Sequence, residues 1–158
     1  MIKILFVCHG NICRSPMAEF VMKRLVQEEL PTSQAADFEI ASAATSTEEI
    51  GNPVYPPAKR MLNAHGIDCS GKTARQMTQA DFEHYDYIVL MDKNNLRNLR
   101  WILPANVIDS PKISLLMDYT SHPRDVADPW YTGDFHATWN DVTEGCRGLL
   151  REILSSRY

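Results

Sequence analysis

The sequence predicts an α/β fold: a doubly wound, mainly parallel four-stranded sheet with helices on both faces, in one domain spanning residues 1–158. Three observations carry this. Short apolar, β-branched runs alternate with segments of helical period, the pattern of parallel strands joined by crossover helices. One run, Tyr87–Met91, is apolar throughout, as a strand buried on both faces requires. At 158 residues, with 44% hydrophobic and 23% charged side chains, the chain has the size and composition to bury a core without staples.

The elements follow in order. Ile2–Val7 is a strand that stops at Cys8. After His9, Gly10, Asn11, Ile12, Cys13 and Arg14, Ser15-Pro16 opens a helix, with Ser15 read as N-cap and Pro16 at the first helical position. Met17, Phe20, Val21 and Leu25 recur at helical spacing until Pro31. Thr32–Asp37 is a polar connection, and Phe38–Ala44 a second strand running into Thr45–Thr47. Past the loop Gly51-Asn52-Pro53, Pro56-Pro57 starts a helix carrying Ala58, Met61, Leu62 and His65, and Gly66 stands where a left-handed cap belongs. Thr78 and Asp81 have the spacing of a capping box for one turn reaching Phe82. Tyr87–Met91 is the third strand, and Asp92 caps a short helix through Leu99. Val107-Ile108 is expected as a brief fourth strand, while Lys112–Met117 is ambiguous. Ser121–Thr132 reads as a long loop. From Asp134 onward, Phe135, Trp139, Val142, Cys146, Leu149, Leu150 and Ile153 form one stripe of a long terminal helix.

Bulk properties exclude several classes. A net charge of −4 gives no general attraction to nucleic acid or anionic membranes, so an anionic ligand must be drawn by a local site. No apolar run approaches the ~20 residues that span a bilayer. Ile2–Val7 is too short for a secretory leader and no small-residue cleavage site follows it. Cys8, Cys13, Cys69 and Cys146, in a chain with a credible core, read as free thiols of a reducing cytoplasm. Cys8 and Cys13 lack a second ligand pair at zinc spacing, so no metal is expected.

The chemistry gathers at Cys8–Arg14. A buried strand, a tight turn and a helix N-terminus meet there, and such a turn aims backbone N–H groups and positive partial charge into one concavity. A cysteine in that field is favoured as thiolate. The five residues between Cys8 and Arg14 suffice to wrap the three non-bridging oxygens of a phosphoryl group, sulfur at the base and guanidinium at the rim. Gly10 allows close approach, and Asn11 tolerates a left-handed conformation while holding the loop by side-chain bonds. Ser15 has a second reading beside the N-cap: its hydroxyl can point back at the sulfur. The leaving oxygen needs a proton from elsewhere. Asp128, held extended before Pro129, is the candidate acid, with Trp130 and Tyr131 placed to wall the mouth and stack on an aromatic group.

Two rival motifs occur downstream. Cys69–Arg75 repeats the C-x5-R spacing, and Gly66–Thr73, GIDCSGKT, matches the nucleotide loop G-x4-G-K-[ST] in full. Such a loop must follow a strand, whereas Ala58–His65 is helical with Gly66 as its cap. The competing classes are thus a nucleotide-binding switch on GIDCSGKT and a catalytically silent phosphotyrosine-binding module, against which Cys8, Arg14 and Asp128 argue.

CHGNICRSPMAE resembles the active-site loop of the low-molecular-weight protein tyrosine phosphatases, and DPWY their general-acid loop. The similarity extends through ASAATSTEEIGNP, MLNAHGID, YDYIVLMDKNNLRNL and the terminal helix, nearly the whole chain. The resemblance implies Cys8 as nucleophile, Arg14 as phosphate clamp and Asp128 as acid then base. It implies a supporting network of Asn11, Ser15, Ser42 and His65, although His65 alone reads as a helix-end histidine. Glu19 helps position the loop or is a solvated helix charge. Cys13 matches the loop cysteine that pairs with the nucleophile on oxidation. The implied enzyme needs no cofactor, acts on phosphotyrosine-containing proteins, touches neither nucleic acid nor membrane, and is a cytoplasmic monomer or weak dimer.

The chain departs from the family pattern at three places. Glu48 stands where many relatives carry an aromatic, which predicts a rim favouring basic flanks. Trp130 replaces the first of two tyrosines after Asp-Pro, leaving Tyr131 as the second. His9 replaces an apolar or small residue and has no assigned task. Ile12, where the family's arginine phosphatases tend to have Thr, favours phosphotyrosine. The lack of cysteines from Gly71 to Asn140 argues against a disulfide-relaying arsenate reductase.

Overall fold

The computed structural model describes residues 1–157. A four-stranded parallel sheet has the order β2-β1-β3-β4. In chain order the elements are β1 (Ile2–Cys8), α1 (Arg14–Glu29), α2 (Thr32–Ala35), β2 (Phe38–Ala44), α3 (Pro56–Ala64), α4 (Gln79–His84), β3 (Tyr87–Leu90), α5 (Lys93–Asn98), β4 (Ile113–Leu115), α6 (Pro129–Thr132) and α7 (Phe135–Arg157).

β1 is central, and its alternation serves two cores at once. Ile2, Ile4, Phe6 and Cys8 face a core completed by Met17, Val21 and Leu25 of α1, Ala58 and Leu62 of α3, and Val142, Cys146, Leu149 and Ile153 of α7. Leu5 and Val7 face the opposite core, with Ile88 and Leu90 of β3, Leu99, Leu103 and Met77. Helices therefore cover both faces, as a doubly wound sheet requires. Because β1 pairs with β2 on one side and β3 on the other, the chain crosses over β1 between them, and a crevice opens at the carboxyl ends of the central strands.

Most expected elements form where the residues call for them. Gly66 takes the left-handed conformation at φ +75° behind α3. Thr78–Asp81 and Asp92–Asn95 both close reciprocal capping boxes. Three expectations need correction. Val107-Ile108 is not the fourth strand: after Pro104 the segment Ala105–Val107 curls into a 3-10 turn, with Val107 N–H donating to the Pro104 carbonyl at 3.2 Å. Strand β4 lies instead in the ambiguous Lys112–Met117, which changes from strand to 3-10 turn at Leu116 and so fits neither period. Ser15 is not the N-cap, since α1 begins at Arg14 and the Cys13 carbonyl accepts the Met17 N–H at 3.1 Å. Pro16 still lies in the first turn, where its missing N–H costs nothing. Within the expected loop Ser121–Thr132, Pro129–Thr132 forms one helical turn capped by Asp128.

Helix α7 is held against the 3-10 turn Leu116–Tyr119 by two glycines. A Cβ on Gly148 would collide with the Tyr119 backbone carbonyl, which cannot rotate away. Gly148→Ala is therefore expected to destabilise the protein by about 1–3 kcal/mol through overpacking, although alanine is the better helix former. Thermal unfolding checks this; an unchanged or higher melting temperature would contradict the packing.

Candidate active site

A pocket of about 460 Å³ opens at the carboxyl edge of the sheet. Each strand end contributes to it: His9, Gly10 and Ile12–Arg14 after β1, Glu48 and Glu49 after β2, Asp92, Asn94, Asn95 and Asn98 after β3, and Asp128, Trp130 and Tyr131 after β4.

Cys8, aligned with Ala44 of β2, ends β1 directly before the pocket-lining His9. Its Sγ lies 3.0 Å from Ser15 Oγ and receives the Asn11 backbone N–H at 3.3 Å. Asn11 can aim that N–H because it sits at φ 60°, the one left-handed non-glycine residue among those described. Its side chain is equally committed: Nδ2 donates to Ser15 Oγ at 2.7 Å and Ser42 Oγ at 3.0 Å, and Oδ1 accepts the Arg75 N–H at 3.2 Å. Ser15 thus takes the second of its two readings, facing the sulfur.

Arg14 is 3% exposed. It donates to Asp92 Oδ2 at 2.7 Å, to the Val126 carbonyl at 3.2 Å and to Asp128 Oδ2 at 3.4 Å. Burial pulls its pKa down, but the charges of Cys8, Asp92 and Asp128 outweigh this and raise it. Asp128 caps α6 through the Trp130 N–H at 3.0 Å, which leaves its second oxygen toward Arg14. The DPWY turn is anchored by Trp130 meeting Tyr55 edge-on at 5.3 Å, with Tyr55 stacked on Phe135 at 6.2 Å. Tyr131 beside it is 85% exposed.

Cys13 is unlike Cys8. Burial, reinforced by the charges of Cys8 and Asp128, pushes its thiol up to about 12, so it stays protonated across the physiological range. Cys69 and Cys146 are likewise buried, and desolvation raises both.

The structure separates the remaining expectations. Ser42 joins the network, donating to Glu19 Oε1 at 2.6 Å, so Glu19 is a buried partner and not a solvated charge. His65 does not join it. Its Nδ1 sits 3.0 Å from the Met61 carbonyl and its ring stacks on Trp139 at 3.9 Å, because the end of α3 turns it toward α7. His9 acquires neighbours that the sequence did not suggest: Nε2 lies 3.0 Å from Glu48 Oε2, and its ring meets Trp101 edge-on at 6.3 Å. The rival motifs dissolve. GIDCSGKT follows a helix, Arg75 is paired with Asp81 at 2.8 Å, and Lys72 turns inward to the Ser42 carbonyl at 2.9 Å.

Sequence reading missed Asp92 as Arg14's principal partner. Its cap role was visible, and its place at a strand's carboxyl end was the available signal; one oxygen serves Asn95 N–H at 2.8 Å and the other serves Arg14. Tyr55 and Trp101 carried no comparable signal.

An anion-sized loop at the carboxyl edge of a doubly wound sheet, holding a cysteine beneath a buried arginine, defines a phosphate-handling α/β enzyme. The family model described as low molecular weight phosphotyrosine protein phosphatase matches residues 3–157, and the chain belongs to that family. It is 39% identical over 156 residues to the low molecular weight protein-tyrosine-phosphatase YfkJ of Bacillus subtilis, covering 97% of this chain and 96% of that one. It is 38% identical over 152 residues to the human low molecular weight phosphotyrosine protein phosphatase, covering 94% of each. The crystal structure of YfkJ superposes with a TM-score of 0.90 at 35% identity, covering 100% and 98% of the two chains. That of a Drosophila arginine phosphatase gives 0.84 at 30%, covering 96% and 98%.

Near neutral pH, iodoacetamide is expected to label Cys8 of the folded protein well before Cys13, which burial keeps as the neutral thiol. Peptide mass spectrometry over a time course decides this, and equal labelling of the two would contradict the assignment.

Proposed function

We propose that the protein hydrolyses phosphotyrosine in proteins, and small aryl phosphates, through a cysteinyl-phosphate intermediate. The observation that carries this is a pocket lined by Arg14 and Asp128, with Arg14 Nη2 3.4 Å from Asp128 and the buried Cys8 opening the same loop, its charge acting on Arg14. The Cys8 sulfur attacks phosphorus as the ester P–O bond breaks, and Asp128 passes its proton to the leaving phenolic oxygen. Asp128, now a carboxylate, takes a proton from water as the water oxygen bonds to phosphorus and the S–P bond breaks. Arg14 offsets the charge on the phosphoryl oxygens, as the fork of a guanidinium suits. This mechanism asks for no metal or cofactor.

Trp130, Tyr131 and Ile12 around the mouth support an aryl substrate. Four unpaired thiols suit a reducing compartment, and among the described residues no helix is long and apolar enough to cross a membrane. The thiols support a cytoplasmic enzyme, and the proposal has it working as a monomer or weak dimer.

In EDTA, wild type is expected to turn over an aryl phosphate and Cys8→Ser to lose turnover while keeping phosphate affinity. Asp128→Ala is expected to lose about 100-fold or more on poor leaving groups and far less on good ones. Full activity in Cys8→Ser would end the proposal, and faster release from phosphoarginine than from phosphotyrosine would redirect it to the chemistry of the arginine phosphatases.

Glu48 and Glu49 on the rim, Glu48 against His9 and Glu49 accepting from the Asn52 amide, extend the reading to substrates with basic flanks. Glu48→Lys is expected to shift kcat/KM from basic toward acidic phosphopeptides by about fivefold at low salt, less at high salt. A phosphopeptide panel with no charge preference in either enzyme would refute it.

A further inference from the structure

Lys72, the lysine of the GIDCSGKT look-alike, is unused by the mechanism above and is not free either. Its side chain is 13% exposed, with Nζ at 2.9 Å from the Ser42 carbonyl and 3.5 Å from Glu19 Oε1. Desolvation lowers its pKa, Glu19 pulling the other way. Burying an ammonium and a carboxylate together is costly and seldom repaid as stability alone. What this pair does repay is visible in the hydrogens beyond it.

Glu19 is gripped from both sides, by Lys72 and by Lys23 at 2.6 Å from Oε2, so its carboxylate only accepts. Ser42 must spend its single proton on Glu19 Oε1 at 2.6 Å, leaving its lone pairs for Asn11 Nδ2 at 3.0 Å. The Asn11 amide gives one proton to Ser42 and the other to Ser15 Oγ at 2.7 Å, while its oxygen takes the Arg75 N–H. Ser15 has accepted and holds one proton. Its nearest acceptors are Cys8 Sγ at 3.0 Å and the Ala43 carbonyl at 3.5 Å. The hydrogens thus diverge from the Asn11 amide, one branch running through Ser42 to Glu19 and the other through Ser15 to the sulfur. If the grip on Glu19 fails, the Ser42 proton can turn to Asn11 and the amide can flip. Ser15 then donates to the amide oxygen and no longer to the sulfur.

We propose that Lys72 is a positioning residue: by fixing Glu19 and the Ser42 backbone, it sets the direction of the Glu19–Ser42–Asn11–Ser15 relay, so that the Ser15 hydroxyl donates to the Cys8 sulfur. A donor there favours the thiolate both as nucleophile and as the group expelled from the cysteinyl-phosphate. The role as stated rests on Cys8 being the nucleophile.

The test is the pH dependence of Cys8 alkylation by iodoacetate, a readout that a merely structural lysine would not move and that needs no turnover. Lys72→Met is expected to displace the profile to higher pH and to lower kcat on an aryl phosphate about tenfold with little change in KM. Lys72→Arg is expected to restore most of both, and the exposed Lys59→Met to change neither. A folded Lys72→Met protein whose alkylation profile overlays wild type overturns the proposal, as does an equal displacement in Lys59→Met. Should Lys72→Met fail to fold, Glu19→Gln carries the same expectation, and an unmoved profile there overturns it. A wild type that alkylates normally but leaves aryl phosphates intact would instead refute the phosphatase reading, and the alkylation comparison would still decide the relay.

Discussion

The buried charge of Arg14 is the constraint on which the carboxyl edge of the sheet depends. It is the first residue of α1, where the helix dipole already places positive partial charge and the first turn supplies no acid. A guanidinium 3% exposed at that point must find its compensation elsewhere in the chain. It finds Asp92 after β3, and the Val126 carbonyl and Asp128 after β4, with the Cys8 sulfur at the end of β1. One side chain thereby ties together the ends of three strands. Removing a partner from such a buried pair typically costs about 3–5 kcal/mol. Arg14 therefore keeps the pocket walls in register.

That arrangement explains why the rim can be loose while the floor is not. Floor contacts are short, buried and mutually satisfied. The rim rests on aromatic edges and one exposed pair: Trp130 against Tyr55, His9 between Glu48 and Trp101. Edge-to-face contacts of this kind contribute about 0.5–1.5 kcal/mol each, and exposed ion pairs contribute less. Rim side chains can accordingly reorient without disturbing the loop that holds Cys8.

Legibility in the sequence followed the range of the interaction. β1, β2, β3 and α7 were visible because burial writes a period into contiguous residues, and the capping boxes of α4 and α5 were visible because their partners lie three residues apart. β4 was not, since a three-residue strand of half-buried side chains carries no period, while Val107-Ile108 is apolar for a different reason: from a 3-10 turn it packs against the second core. Cys8, Arg14 and Asp128 could be named from local context and resemblance. The Arg14–Asp92 bond, spanning 78 positions, could not be read from spacing. His65 misled because a histidine at a helix end is compatible with both a network and a stack, and only the direction of α3 decides between them. Lys72 was read only within a motif whose context failed, so its actual partners, Ser42 and Glu19, were out of view.

The two loop cysteines show how much of the chemistry lies beyond the motif. They are five positions apart on one turn, and either could be drawn as a thiolate near an arginine. Cys13 is desolvated and faces the charges of Cys8 and Asp128, which together push its thiol up to about 12. Cys8 instead ends a strand where a left-handed asparagine turns a backbone N–H toward it and a serine hydroxyl stands at 3.0 Å. The arginine's charge acts on both sulfurs, but at Cys13 burial and the charges of Cys8 and Asp128 outweigh it. The second C-x5-R carries the spacing alone: Cys69 is buried, desolvation raises its thiol, and Arg75 is spent on Asp81.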